Sequence, residues 1–203
     1  MDDSDLVDLC TFASKFLSSP VEVDGLLEGG HESDVVLAIT QSSEFNHVGG
    51  KCVLHVSPNW RGESELSWVH AVAGFVVGSG ICAVAPIVRE SSTYFIWRDR
   101  LVAVYPYVNG RPLDRDDEER RKDAACVLGK IHSCLVNFSL PKLVSKRDAL
   151  GLNSGLLSSD CEVPESLVAE KLDRTWQKIL GNGLTTSVTH GDYYRANILV
   201  PIT

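Results

Sequence analysis

Hydrophobic periodicity changes character once along this chain, at Pro106-Tyr107-Val108-Asn109-Gly110, and that change limits the fold more than any other feature. Before it, short runs of β-branched and aromatic residues predominate; after it, apolar residues recur at helical spacing. Residues 21–27, 34–40 and 51–56 read as three short strands, separated by Gly29-Gly30 and by the 46–50 segment, both of which carry turn chemistry. Residues 82–88, 93–97 and 101–105 read as three more, the middle one rich in aromatic and β-branched side chains. Residues 4–18 carry Leu6, Leu9, Ala13, Phe16 and Leu17 at helical spacing, with Ser4 a plausible N-cap. Residues 63–77 do the same with Leu66, Val69, Val72, Ala73 and Val76, and Gly78-Ser79-Gly80 ends the run.

The expectation is an α+β architecture. Residues 1–105 form a lobe built on a five- or six-stranded antiparallel sheet with one packed helix, 106–112 form a hinge, and 113–203 form a mainly helical lobe. In that second part, 116–136 predicts a long helix with Ala124, Val127, Leu128, Ile131 and Leu135 inward, and 164–180 a second, opened by Pro164 and closed by Gly181-Asn182-Gly183. Residues 139–163 read as irregular.

Charge and cysteine content narrow the partners. Nineteen basic against 27 acidic residues leave a net charge of −8, which argues against a nucleic-acid or anionic-membrane binder. Arg120, Arg121 and Lys122 do cluster, but behind acidic residues 116–119 on a predicted helix, which reads as a solvated face. No apolar run approaches the ~20 residues of a membrane helix. The acidic start, Met-Asp-Asp-Ser-Asp, lacks the positive region of a signal peptide, so a cytoplasmic location is expected. Six scattered cysteines with no Cys-x-x-Cys pair are expected to be free thiols.

One segment carries chemistry. Residues 190–197 read His-Gly-Asp-Tyr-Tyr-Arg-Ala-Asn. Phosphoryl transfer needs a carboxylate to orient the attacking hydroxyl and take its proton, and an oxygen ligand for the Mg²⁺ on the nucleotide phosphates. Protein kinases place both on one loop as H-R-D-x-x-x-x-N. His190, Asp192 and Asn197 have the same spacing, with Gly191 in place of the arginine. At average composition such a match arises by chance in on the order of one chain per thousand.

With this loop, the chain resembles the aminoglycoside phosphotransferase/choline kinase-like family, whose H-G-D-x-x-x-x-N loop residues 190–197 match. The resemblance spans nearly the whole chain and implies a protein-kinase-like fold, with ATP and Mg²⁺ as cofactors and a small-molecule acceptor. It makes Asp192 the catalytic base, His190 a residue that orients the loop, and Asn197 a magnesium ligand. Leu128-Gly129-Lys130-Ile131-His132 is similar to a helical stretch of the family, and His132 there reads as structural. Residues 101–110 resemble the interlobe hinge where adenine meets backbone groups; Pro106 has no N–H, so a donor must come from Tyr105 or Tyr107, whose rings read equally well as hinge packing.

The nucleotide half departs from the family's pattern. Gly29, Gly30 and Ser33 resemble its glycine-rich phosphate loop, but Asp34 stands where the family commonly has asparagine, and an aspartate repels a triphosphate. The third strand should present a basic residue to the phosphates, paired with a glutamate on the next helix. Strand alternation puts Lys51, Val53 and His55 on one face, so His55 takes the basic position, although histidine is mostly neutral at pH 7. Lys51 lies roughly 13 Å away along the strand. Glu65 is the expected helix partner, with Glu63 the runner-up.

The family continues beyond its loop into a strand with an Asp-x-Asp pattern that binds magnesium. No aspartate follows Asp192 here, so the helical lobe is expected to be incomplete and C-terminally truncated, and the strand at 197–200 to lack its partner and expose an apolar edge. Two functions follow: an ATP-dependent phosphotransferase acting on the hydroxyl of an aminoglycoside-, choline- or homoserine-like acceptor, or a catalytically inert kinase-like protein that binds a nucleotide or a partner. The oligomeric state is left open.

Overall fold

A first helix, α1 (Asp3–Leu17), opens the chain, and its start is fixed by a reciprocal cap. The Asp2 carboxylate accepts from the Asp5 backbone N–H at 2.8 Å while the Asp5 carboxylate accepts from that of Asp2 at 3.1 Å, satisfying donors that a helix terminus otherwise leaves free. The cap is thus Asp2 rather than Ser4. Ser18, in the left-handed conformation, ends the helix. The protein is described here from a computed structural model, in residues 1–27, 33–139 and 197–202. By its contacts the chain divides into two units, Met1–Phe138 with Thr189–Thr203, and Ser139–Val188; all described residues but Ser139 belong to the first.

Five strands form one antiparallel sheet in the order β1 (Val21–Leu26), β2 (Asp34–Thr40), β3 (Lys51–Val56), β5 (Arg100–Pro106), β4 (Phe95–Trp97). Between β2 and β3 lies a 3₁₀ turn, Ser43–Val48, closed by Gly49 and Gly50. A Cβ on Gly50 would lie 2.7 Å from the Thr40 carbonyl oxygen, and its φ of +76° is one that side chains resist, so only glycine fits this corner. The turn from β4 into β5 uses positive φ at both Arg98 and Asp99, the pattern of a two-residue hairpin. The Arg98 guanidinium pairs with Asp5 and Asp8 of α1 and lies over the Trp97 ring, which ties that turn to the first helix.

Alternation along the strands sorts the two faces. Val36, Ala38, Cys52, Leu54, Val56, Val102 and Val104 point to one side, where Leu9, Cys10, Ala13 and Leu17 of α1 meet them in the hydrophobic core. Lys51, Val53, His55 and Tyr105 point to the other, as the period of two requires. The second helix, α2 (Glu63–Gly78), reaches this second face through buried His70. Of the apolar stripe expected on α2, Leu66 and Val76 are buried, whereas Val69 is exposed.

Two expectations are corrected. Residues 82–88 form no strand: Pro86 has no N–H for a ladder, and the segment attaches to β5 through the Ile87 N–H, which donates to the Val104 carbonyl at 2.8 Å. The sheet therefore has five strands. The end of the chain does have a partner. Strand β7 (Leu199–Pro201) pairs antiparallel with β6 (Gly110–Pro112), which lies within the expected hinge. A Cβ on Gly110 would stand 3.0 Å from the Val200 carbonyl oxygen, so glycine lets the two backbones approach. Helix α3 (Glu118–Leu135) follows, capped by the Asp117 side chain and burying Ala124, Ile131 and Leu135. The helix expected at 164–180 lies outside the described residues.

Cys10 and Cys52 are buried free thiols, Cys134 is half-buried, and Cys82 and Cys126 are exposed. Among the described residues no helix is long and apolar enough to cross a membrane.

Candidate functional site

Strand β3 presents His55 on the face opposite α1, half-buried against Tyr105 of β5, with the two rings edge to face at 6.2 Å. Burial holds the imidazole below its ordinary pKa, and the charges of Arg61 and then Arg100 push the same way. His55 is therefore neutral at pH 7, and its Nδ1 is buried without a protein partner.

A second histidine stands beside it. His70 is 3% exposed, and both ring nitrogens are engaged: Nδ1 with the Thr93 hydroxyl at 2.7 Å, Nε2 with the Tyr105 hydroxyl at 3.0 Å. Burial, reinforced by His55 and Arg61, lowers its pKa to about 4. Tyr105 is pushed up to about 12, chiefly by burial. The face is thus a chain of neutral polar groups, Thr93–His70–Tyr105, with His55 packed against its end. Periodicity did not single out His70, because a search for apolar stripes passes over histidine. Its place four residues after Leu66 sets it on the buried side of α2, and that spacing was the available signal.

The two helix carboxylates have different partners. Glu65 lies 3.4 Å from the Arg61 guanidinium, and Glu63 accepts from the Tyr94 hydroxyl at 2.6 Å. Lys51 pairs with Asp24, at the irregular step of β1, at 3.2 Å, and its ammonium lies 5.7 Å from the centre of the Tyr107 ring. Tyr107 donates its backbone N–H to the Lys51 carbonyl at 3.4 Å, a long bond beside the strand junction. Asp34 faces Arg100 at 2.5 Å, so the carboxylate next to the expected phosphate loop is neutralised from within the sheet. Ser33 is half-buried at the start of β2.

The other end of the expected site is anchored by backbone. The Leu113 N–H donates to the Ile198 carbonyl at 2.9 Å and the Ile202 N–H to the Asn109 carbonyl at 3.1 Å, on either side of the β6–β7 ladder. These bonds hold Asn197, which is exposed, next to the segment that follows β5. Gly29, Gly30, His190 and Asp192 lie outside the described residues. Among the described residues, no group of three or more His, Cys, Asp or Glu side chains is placed to hold a metal.

No curated protein matches the chain by sequence. The crystal structure of spectinomycin phosphotransferase, APH(9)-Ia, in complex with ADP and spectinomycin has a similar fold, with a TM-score of 0.55 at 13% identity. The likeness covers 96% of this chain and 64% of that one, so the chain spans under two thirds of its neighbour's length. The sequence profile of the phosphotransferase enzyme family (APH) matches residues 26–202, from the last residue of β1 through β7, and the chain belongs to that family.

Proposed function

We propose that the protein is an ATP-dependent phosphotransferase for a small-molecule hydroxyl, of the aminoglycoside, amino-alcohol or homoserine type. The observation that carries this reading is the spacing of His190, Asp192 and Asn197 in a chain of the phosphotransferase family. Asp192 takes the proton of the acceptor hydroxyl and aligns its oxygen with the γ-phosphorus. His190 orients the loop, and Asn197, fixed beside the β6–β7 ladder, supplies an oxygen to Mg²⁺. When bound, the metal neutralises charge on the phosphates. The residues present fit a nucleotide. His55 Nδ1 and Arg61 Nε are buried without protein partners, and a ligand rich in hydrogen-bonding groups relieves the cost of leaving them so. Tyr105 and Tyr107, at the end of β5, border the adenine, and Gly29, Gly30 and Ser33 approach the phosphates. The ADP and antibiotic bound by the spectinomycin enzyme support both ligand classes.

The test is transfer of labelled γ-phosphate from Mg·ATP to a panel of aminoglycosides, amino alcohols and homoserine, by the chain and by its Asp192→Asn variant. Transfer that the substitution abolishes supports the reading; transfer that survives it removes Asp192 as the base. A second reading, nucleotide binding without transfer, is favoured by the neutral His55 where the family places a basic residue. Tight Mg·ATP binding with no transfer to any acceptor would select it.

A further inference from the structure

We propose that Arg61, in the turn between β3 and α2, is the cation that holds the nucleotide's phosphates, with Glu65 as its positioning partner. The inference rests on the nucleotide-binding reading above and deepens it by moving the phosphate contact off strand β3, where the family's pattern looks for it.

The other cations of the sheet are committed elsewhere. Lys51 is held by Asp24 and Tyr107. Arg100 donates to the Asp34 carboxylate and to the carbonyls of Val56 and Ser57, which engages all three of its guanidinium nitrogens. Arg89 is bound to Glu44 at 2.8 Å, and Arg98 to Asp5 and Asp8. His55 is neutral for the reasons already given, and a protonated His55 would face the guanidinium that already lowers it.

Arg61 and Arg89 both have a buried Nε without a partner, but the ion pair of Arg89 is short, whereas that of Arg61 is long. The Arg61 side chain is 27% exposed, so it reaches both the interior and solvent. It has one carboxylate contact, Glu65 at 3.4 Å, longer than the 2.7–2.9 Å typical of a charge-assisted bond. Its Nε is buried without a partner. A guanidinium has five N–H donors in a fixed fork suited to phosphate oxygens, and most of Arg61's remain available. Its Cζ lies over the Trp60 ring, 5.0 Å from the centroid. Its charge acts on His55, His70 and Tyr105, side chains from β3, α2 and β5. Arg61 lies between β3, which carries His55, and α2, which carries Glu65 and His70, so the ion pair that the family builds between strand and helix is here built between turn and helix.

The experiment measures binding of ATP, ADP and adenosine, with and without Mg²⁺, to the 203-residue chain by titration calorimetry. The wild-type chain is expected to prefer both nucleotides to adenosine. Arg61→Gln should weaken ATP and ADP by about tenfold to a hundredfold, the scale of one lost hydrogen bond to a charged group, and leave adenosine unchanged. Arg61→Lys should recover part of the loss, and Lys51→Ala should change neither. Equal weakening of ATP and adenosine in Arg61→Gln would mean that the arginine only supports the fold, and would overturn the inference. So would an unaltered ATP affinity, or a loss of phosphate preference in Lys51→Ala. If the wild-type chain binds adenosine as tightly as ATP, the sheet reads no phosphate and the inference falls alone; if it binds none of the three, the nucleotide reading falls with it.

Discussion

Replacing His70 by glutamine is expected to flatten the acid side of the protein's stability curve. The imidazole titrates near 6.5 in an unfolded chain and at about 4 in the folded one. Between these values the unfolded state binds more protons, so stability rises with pH; the contribution is complete above about 6.5 and is lost as pH falls towards 4. A shift of roughly 2.5 units at about 1.4 kcal/mol each sets a ceiling of ~3.5 kcal/mol, a large fraction of the ~5–15 kcal/mol that holds a typical domain together. The ceiling is not fully reached, because the hydroxyls of Thr93 and Tyr105 can both turn to accept from a protonated ring. Surface carboxylates titrate in the same window, so the measurement is a difference. Urea unfolding of wild type and His70→Gln, followed by circular dichroism at half-unit steps from pH 8 to pH 4 and constant ionic strength, isolates the histidine. Wild type should lose ~1.5–3 kcal/mol more than the variant across that range. Glutamine retains a donor and an acceptor, so the variant should fold. Parallel curves would refute the burial and electrostatics assigned to His70.

Three further outcomes test the fold. Tyr105→Phe removes the hydroxyl that meets His70 Nε2 and should cost about 1–2 kcal/mol in urea unfolding, with the His70 pKa by NMR the more direct readout. Gly50→Ala places a Cβ against the Thr40 carbonyl in a left-handed backbone and should destabilise by at least ~1–3 kcal/mol, seen as a lowered melting temperature. Asp2→Ala breaks the reciprocal cap on α1 and should cost ~0.5–2 kcal/mol in the same assay, a loss that Asp2→Ser should largely avoid.

Much of the sheet was legible because strand alternation is a local property. The pattern of β3 survives intact: Cys52, Leu54 and Val56 are buried while Lys51, Val53 and His55 face the other way. Residues 82–88 misled because their apolar run looks like a strand until Pro86 is weighed for its missing donor. The pairing of β6 with β7 was not legible, since it joins residues about 90 positions apart and rests on backbone hydrogen bonds that side-chain chemistry does not announce. The second face of the sheet was legible in part. Alternation placed His55, and helix position made Glu65 the acidic partner, but neither could show that Glu65 pairs with Arg61 in the preceding turn or that His70 is the helix residue beneath Tyr105. Charge partners depend on how a loop folds back, and periodicity carries no information about that.

The first helix has a consequence for where this protein begins as a folding unit. The family profile starts at residue 26, yet α1 and nearly all of β1 precede it. Leu9, Cys10, Ala13 and Leu17 fill the underside of the sheet, and at ~1.5–3 kcal/mol for each large apolar side chain buried, α1 accounts for several kcal/mol. A chain started at the family boundary would bare that underside and leave β2 as a raw edge, inviting the strand-to-strand association that unprotected edges promote. Homology and autonomy thus draw different borders on this polypeptide. The stretch shared with its relatives begins at the last residue of β1, and the residues before it cover the sheet face that this stretch would otherwise leave bare.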